Sequence, residues 1–167
     1  MRPRRRSGDV HVSPADPGSE EVRRLLAERD AYFAALYPER NTTLLPVATL
    51  AGPEVTFLIV RVGGELIGCG ALIAQGRVGE LKRFYVRPGA RRLGLAARLL
   101  VAAERRAAQL GLWRLRLEVG RRQPAAIALY RRAGYRPIRC FSPYRPDAVC
   151  TFRGKVHRPV PRRRPAT

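Results

Sequence analysis

The sequence predicts a single α/β domain built on a mixed, twisted sheet of about six to seven strands flanked by about four helices. Three observations carry this. The apolar runs VTFLIVRV and ELIGCGALIAQG meet at Gly63-Gly64, a dipeptide suited to a tight hairpin turn. A strand-like ELKRFYVRP is followed by a long segment with helical spacing and then by the alternating LWRLRLEV, a β-α-β succession. The length, 167 residues, suits one domain with a fair-sized core.

In chain order, residues 1–9 (MRPRRRSGD) read as a basic disordered arm and 158–167 as a Pro/Arg-rich disordered tail, because neither holds anything to bury. The domain is expected over 10–157. Val10 to Val12 suits an edge strand. Ser19 or Asp16 then caps a helix through SEEVRRLLAERDAYFAALY, with Val22, Leu25, Leu26, Phe33, Leu36 and Tyr37 as its apolar stripe and Pro38 as its stop. Residues Asn41 to Pro53 are turn-rich. Within the second hairpin strand, Gly68 and Gly70 mark either a bulge or close backbone approach, or merely a weakened strand interior.

ELKRFYVRP has apolar residues on both parities, as a central strand covered on both faces would, and Pro88 ends it. From Ala90 the positions Leu93, Ala96, Leu100, Ala103, Ala107 and Leu110 step by three and four, which predicts one helix running to Gly111. LWRLRLEV sets Trp113, Leu115, Leu117 and Val119 on one face of a strand. Pro124 opens a helix through AAIALYRRA closed by Gly134, and YRPIRCF and VCTFRGKV supply two final strands around the Pro143 to Pro146 turn.

Lys and Arg number 33 against 13 Asp and Glu, for a formal charge of +20, and the only lysines are Lys82 and Lys155. Such charge suits an anionic partner, but the arginines are scattered through every segment, as a general Arg-rich composition would scatter them. Cys69, Cys140 and Cys150 are an odd count without CxxC spacing, which fits reduced thiols. No apolar segment of about 18 residues occurs, nor any signal-peptide core, so a soluble cytoplasmic protein is expected without membrane attachment. No His, Cys and Asp cluster has metal spacing, and His11 and His157 lie near the arms, poorly placed to activate a nucleophile. No metal is expected.

The chemistry gathers in VRPGARRLGLAARLL. A strand, a Pro-Gly turn and then Arg91, Arg92, Leu93, Gly94, Leu95 and Ala96 entering a helix bring unpaired backbone N–H groups and a positive helix end together, which makes an anion site. Gly94 and small Ala96 leave those N–H groups open, and Arg91 and Arg92 add charge. Neither a P-loop GK[ST] nor a GxGxxG before a helix is present.

This segment resembles motif A of the GNAT superfamily of acetyl-CoA-dependent N-acetyltransferases, (Arg or Gln)-x-x-Gly-x-(Gly or Ala). GELKRFYV, LRLEVGRRQPAAIALYRRAGY and FSPYRPD resemble further blocks of a bacterial branch in the same order, so the likeness spans roughly residues 10 to 157. It implies a GNAT-like domain that binds acetyl-CoA as acyl donor and transfers its acetyl group to a primary amine of a small molecule or peptide, by direct attack in a ternary complex. By the same resemblance the backbone across Arg91 to Ala96 holds the CoA pyrophosphate. Phe84, Tyr85 and Val86 pair with the pantetheine arm, and the N–H near Phe84 faces the thioester oxygen, a device worth about 3 kcal/mol in other acyl transfers.

Glu80 is then the candidate base, with a solvated ion pair to Lys82 or an arginine as the competing reading. Tyr130 is the candidate acid for the leaving thiolate, against a packing role. Gln123 is assigned to the CoA arm or to helix capping. Glu118 is a substrate ligand or alternative base, or else bonds Arg116 or Arg121. Tyr144 lines the acceptor pocket or packs. A basic rim favours an anionic acceptor such as an amino acid, with a protein N-terminus or lysine, for instance ribosomal, as another possibility. A monomer or homodimer is expected. The alternative from another class is a basic nucleic-acid-binding protein on an inactive acyltransferase fold, ranked lower because helix-turn-helix, zinc-finger and RNP-type signals are missing.

Overall fold

A computed structural model describes residues 8–40 and 46–157. Residues 1–7 of the expected arm, the tail 158–167 and residues 41–45 of the turn-rich loop lie outside them. The elements run β1 (Val10–Pro14), α1 (Glu20–Leu36), α2 (Val47–Leu50), β2 (Val55–Val62), β3 (Glu65–Gln75), β4 (Val78–Val86), α3 (Leu95–Gln109), β5 (Arg114–Gly120), α4 (Pro124–Arg132), β6 (Arg136–Pro137) and β7 (Cys150–Val156).

The seven strands form one sheet in the order β1-β2-β3-β4-β5-β7-β6. Only the central β4–β5 pair is parallel, because the α3 crossover returns the chain in the same direction. Gly63 and Gly64 take φ of +58° and +85°, the backbone that a two-residue turn between twisted strands requires.

Alternation along the strands divides the core between the two faces of the sheet. On one face α3, through Leu95, Leu99, Leu100, Ala103 and Ala107, and α4, through Tyr130, cover Leu58, Val60, Leu72, Leu81, Leu115 and Leu117. On the other, Val22, Leu25 and Leu26 of α1 cover Phe57, Ile59, Leu66, Cys69, Ala71 and Tyr85. The apolar residues of β2 on both parities are thus explained, since Leu58 and Val60 serve one cluster while Phe57 and Ile59 serve the other.

Arginine fastens α1 to this sheet. Arg61 of β2 bonds Glu21, Arg87 bonds Glu28, Arg83 of β4 bonds Asp30, and Arg91 donates to the Tyr32 hydroxyl at 2.7 Å.

Three details depart from the sequence reading. The helix expected from Ala90 starts only at Leu95, after a single 3₁₀ turn over Pro88–Ala90, because Arg92 and Gly94 adopt left-handed φ of 68° and 73°. The YRPIRCF strand shrinks to Arg136–Pro137, since Pro137 has no N–H to extend the ladder. Trp113 stays 39% exposed just ahead of β5, while Leu112 takes the buried place, at 2%.

Candidate active site

Backbone conformation builds the first part of the site. No backbone N–H from Arg92 through Ala97 donates to an acceptor among the described residues, and the first that does is Arg98, to the Gly94 carbonyl at 3.1 Å. These donors and the α3 dipole converge at one place. A Cβ built on Gly94 meets nothing within 4 Å, so the turn is open on that side. The side chains contribute less. The Arg91 guanidinium is spent on the Val86 carbonyl at 3.1 Å and on the Tyr32 hydroxyl, with Tyr32 stacked 4.5 Å beneath it. Arg92 and Leu93 are exposed, Leu95 is buried in the core, and Ala96 is half-buried.

The second part is a wedge in the sheet. β4 and β5 pair from Val78↔Arg114 to Leu81↔Leu117, and beyond that point they have no register, so Lys82 to Val86 present an unpaired edge toward Glu118 to Gly120. A bulge against β3, between Cys69 and Ala71, bends β4 at this point and holds Arg83 at φ +61°. The bend depends on the two glycines of β3. A Cβ on Gly70 would meet the Phe84 ring at 2.8 Å, and one on Gly68 would meet the Tyr85 carbonyl at 2.6 Å.

Glu80 lies just before the wedge and is 2% exposed. Parallel register places it beside Arg116 of β5, and its Oε1 accepts a 2.5 Å hydrogen bond from the Tyr144 hydroxyl with the Lys82 ammonium 3.7 Å away. The loop after β6 supplies the roof. Phe141 and Tyr144 meet edge to face at 5.3 Å, Arg116 stacks 4.1 Å from the Phe141 ring, and Lys82 sits 5.0 Å from the Tyr144 ring. Burial, then the bond to Glu80, push the Tyr144 phenol well above its ordinary pKa, so it remains an O–H donor. Glu118 shares this face but bonds Arg40 at 3.0 Å, and Arg40 also reaches Asp147 at 3.7 Å.

Tyr130 of α4 is 6% exposed. Burial raises its pKa, and the Arg29 guanidinium acts in the opposite sense. Tyr135 packs on it edge to face at 5.7 Å and is itself tied to Glu104 at 3.0 Å. Gln123 begins α4 without a side-chain cap bond. Nearby the Tyr37 hydroxyl, at the end of α1, accepts from the Arg122 N–H at 3.0 Å.

Unpaired N–H groups at a helix start suit a phosphate group, and a strand edge without a partner can pair with an extended ligand. Residues 22–135 match the family model described as Acetyltransferase (GNAT) family. The chain belongs to the GNAT acetyltransferases.

This acetyltransferase is 39% identical over 149 residues to the IAA acetyltransferase of Azospirillum brasilense, covering 88% of this chain and 97% of that one. A crystal structure from Klebsiella pneumoniae assigned to the acyl-CoA N-acyltransferases superposes with a TM-score of 0.75 at 36% identity, covering 89% and 97%. The PaiA N-acetyltransferase of Thermoplasma acidophilum, solved in complex with coenzyme A, shares the fold at TM-score 0.68 and 16% identity over 89% and 99%.

On the GNAT frame, Glu80 and Tyr144 come together, Phe84, Tyr85 and Val86 lie on the unpaired edge of β4, and Tyr130 is buried in the core cluster that α3 and α4 share with the sheet. Glu80 does pair with Lys82, yet it is buried, so the solvated ion pair considered from the sequence does not describe it. Glu118 bonds neither Arg116 nor Arg121, the partners considered, but Arg40. Sequence reading passed over Arg29, Arg40 and Arg83. Arg29 left a signal, since it occupies a core-facing place in the α1 stripe between Leu26 and Phe33. Among the described residues no helix is long and apolar enough to cross a membrane, and no cluster of three or more metal-ligating side chains occurs.

Proposed function

We propose that residues 10–157 form an N-acetyltransferase domain that transfers an acetyl group from acetyl-CoA to a primary amine by direct attack. Acetyl-CoA supplies the activated acyl group. The observation that carries this reading is the run of unpartnered N–H groups from Arg92 to Ala97 over an open turn, a fit for a pyrophosphate that needs no lysine or metal. Leu93 to Ala96 hold the anion through their backbone, and Arg92 adds charge. Phe84, Tyr85 and Val86 offer their free strand edge to the amide-bearing pantetheine arm, with Gln123 at its far side.

Glu80 takes the proton of the acceptor ammonium, directly or through water, while Tyr144 and Lys82 fix its carboxylate. The amine nitrogen bonds to the acetyl carbon as the carbon–sulfur bond breaks, and an N–H near Phe84 meets the charge gathering on the carbonyl oxygen. Tyr130, kept protonated by burial, gives its proton to the departing thiolate and is restored by the second proton that the nitrogen loses as it becomes the amide. Glu118, turned to the same face and paired with Arg40, orders the acceptor side.

Calorimetry and thermal melting with acetyl-CoA test the reading. Ligand at about 100 times its Kd is expected to raise the Tm by roughly 5 to 10 °C. Failure of both acetyl-CoA and CoA to bind would overturn it.

A further inference from the structure

The stem that follows α1 is moored to the β5–α4 turn. The Tyr37 hydroxyl accepts from the Arg122 N–H at 3.0 Å, the Arg122 guanidinium donates to the Leu36 carbonyl at 2.9 Å and pairs with Glu39 at 2.7 Å, and the Arg40 N–H bonds the Tyr37 carbonyl at 3.1 Å. From this base the Arg40 side chain reaches groups 78 to 110 residues further along the chain. Its Nη1 lies 3.0 Å from Glu118 Oε1 and 2.8 Å from Cys150 Sγ, and its Nη2 lies 3.7 Å from Asp147 Oδ2. Burial, then the Glu118 charge, push the Cys150 thiol up to about 12, so it stays neutral and leaves the Arg40 charge to the two carboxylates. Arg40 is 28% exposed and Glu118 17%, so Glu118 without Arg40 would be left largely buried and unmatched.

What Arg40 gathers is the foot of the roof over Glu80. Residues 138–149, between β6 and β7, form a long connection with no helix or strand of their own, which must be tied down to keep one conformation. The outgoing limb is tied by the Ile138 N–H, which donates to the Phe152 carbonyl at 3.0 Å. The returning limb is tied by Asp147, whose Oδ1 accepts from the Val149 and Cys150 N–H groups at 2.8 and 2.6 Å while its Oδ2 faces Arg40. Tyr144 stands between these ties, three residues before Asp147. Phe152, opposite Glu118 in the β5–β7 register, meets the Phe141 and Tyr144 rings at 5.5 and 5.8 Å, and the Tyr144 hydroxyl bonds Glu80 at 2.5 Å. Arg40 therefore grips both parts of the joint, Glu118 on the sheet and Asp147 on the loop.

We propose that Arg40 is a positioning residue for the acetyl transfer, which clamps Glu118 of β5 to Asp147 of the roof loop and so holds the Tyr144 hydroxyl on the Glu80 carboxylate. The inference rests on the acetyltransferase reading with Glu80 as its base. Arg40 acts through Tyr144 and moves no proton itself. A hydrogen bond that confines one carboxylate oxygen leaves the other aimed at the acceptor ammonium, and a roof that lifts lets the carboxylate turn away, so fewer encounters are productive. Arginine suits this task because its planar fork meets several acceptors at once, whereas a lysine ammonium is a point charge on a flexible stem.

Two measurements on the full-length enzyme test this. The short, shielded bond from Tyr144 to Glu80 is expected to give a far-downfield proton NMR resonance, assigned by its absence in Tyr144→Phe. Arg40→Met is expected to abolish that resonance and Arg40→Lys to keep part of it. Asp147→Asn is expected to weaken it, because the amide oxygen preserves the turn bonds while the charge facing Arg40 is lost; this variant decides alone if Arg40→Met does not fold. The resonance needs no acceptor, so it decides whichever amine the enzyme uses. Thiol release from acetyl-CoA with L-amino acids and simple primary monoamines supplies the second measurement. Arg40→Met is expected to lower kcat about 10-fold with the KM for acetyl-CoA unchanged, and to add nothing in a Tyr144→Phe background. A wild type without the resonance, a resonance unchanged in Arg40→Met and Asp147→Asn, or an equal kcat loss with and without Tyr144 overturns the proposal and leaves the acetyltransferase reading intact. Failure of acetyl-CoA and CoA to bind removes both.

Discussion

At the residue scale, the carboxylate with the most constrained surroundings is Glu80. A buried acid that receives a short phenolic hydrogen bond and faces an ammonium is fixed in place, which is what proton abstraction from a bound amine requires. Glu80→Gln keeps the shape and the Tyr144 bond but removes the base, so kcat should fall about 100-fold with acetyl-CoA affinity unchanged. Stopped-flow turnover beside calorimetry checks this, and full activity in the variant would leave Glu80 a structural group. Tyr144→Phe should cost less, about 10-fold, because it frees the carboxylate without removing it. Tyr130→Phe should lower kcat and spare acetyl-CoA binding, since the change deletes a proton donor and little volume. Glu80, Tyr130 and Tyr144 were legible as candidates because a resemblance fixed their order along the chain. Arg40 was not, because its partners Glu118 and Asp147 lie far along the chain.

At the element scale, the start of α3 is where sequence and structure diverge most usefully. The spacing from Leu93 onward reads as helix, yet the left-handed backbone at Arg92 and Gly94 delays the helix to Leu95 and leaves the N–H groups ahead of it unpaired. Gly94→Ala should cost about 1 kcal/mol, since alanine tolerates that φ poorly. It should weaken CoA binding further, at least about 10-fold, because the methyl projects into the open side of the turn. Melting temperature against CoA Kd separates the two, and an unchanged Kd would place the pyrophosphate elsewhere. A second close approach holds α1 to the β5–α4 turn, where a Cβ on Gly120 would collide with the Tyr37 ring. Gly120→Ala should therefore loosen the end of α1 from the β5–α4 turn, which hydrogen exchange at Arg122 reads directly.

Across the whole molecule, Tyr85, Tyr130, Tyr135 and Tyr144 all have raised pKa values, in each case chiefly by burial. A tyrosine whose folded pKa is raised keeps its proton in the native state after the unfolded chain has lost it. Stability is therefore intact below about pH 10, the unfolded value, and declines as pH rises toward the folded values. Melts by circular dichroism from pH 8 to 11 should show this decline, and Tyr135→Phe should lessen it; an unchanged pH dependence in Tyr135→Phe would remove that residue's part in it. By itself the sequence determined the α/β class, the hairpin at Gly63-Gly64, the central place of β4 and the helix after it, because alternation and helical spacing are local consequences of which side chains must leave water. Tertiary structure alone decided that β4 and β5 part after Leu81 and Leu117, and that residues 50 to 100 apart in the chain meet. The bond from Tyr144 to Glu80 and the Arg40 and Glu118 pair arise there, since such contacts depend on register, bulges and crossings that no single segment encodes.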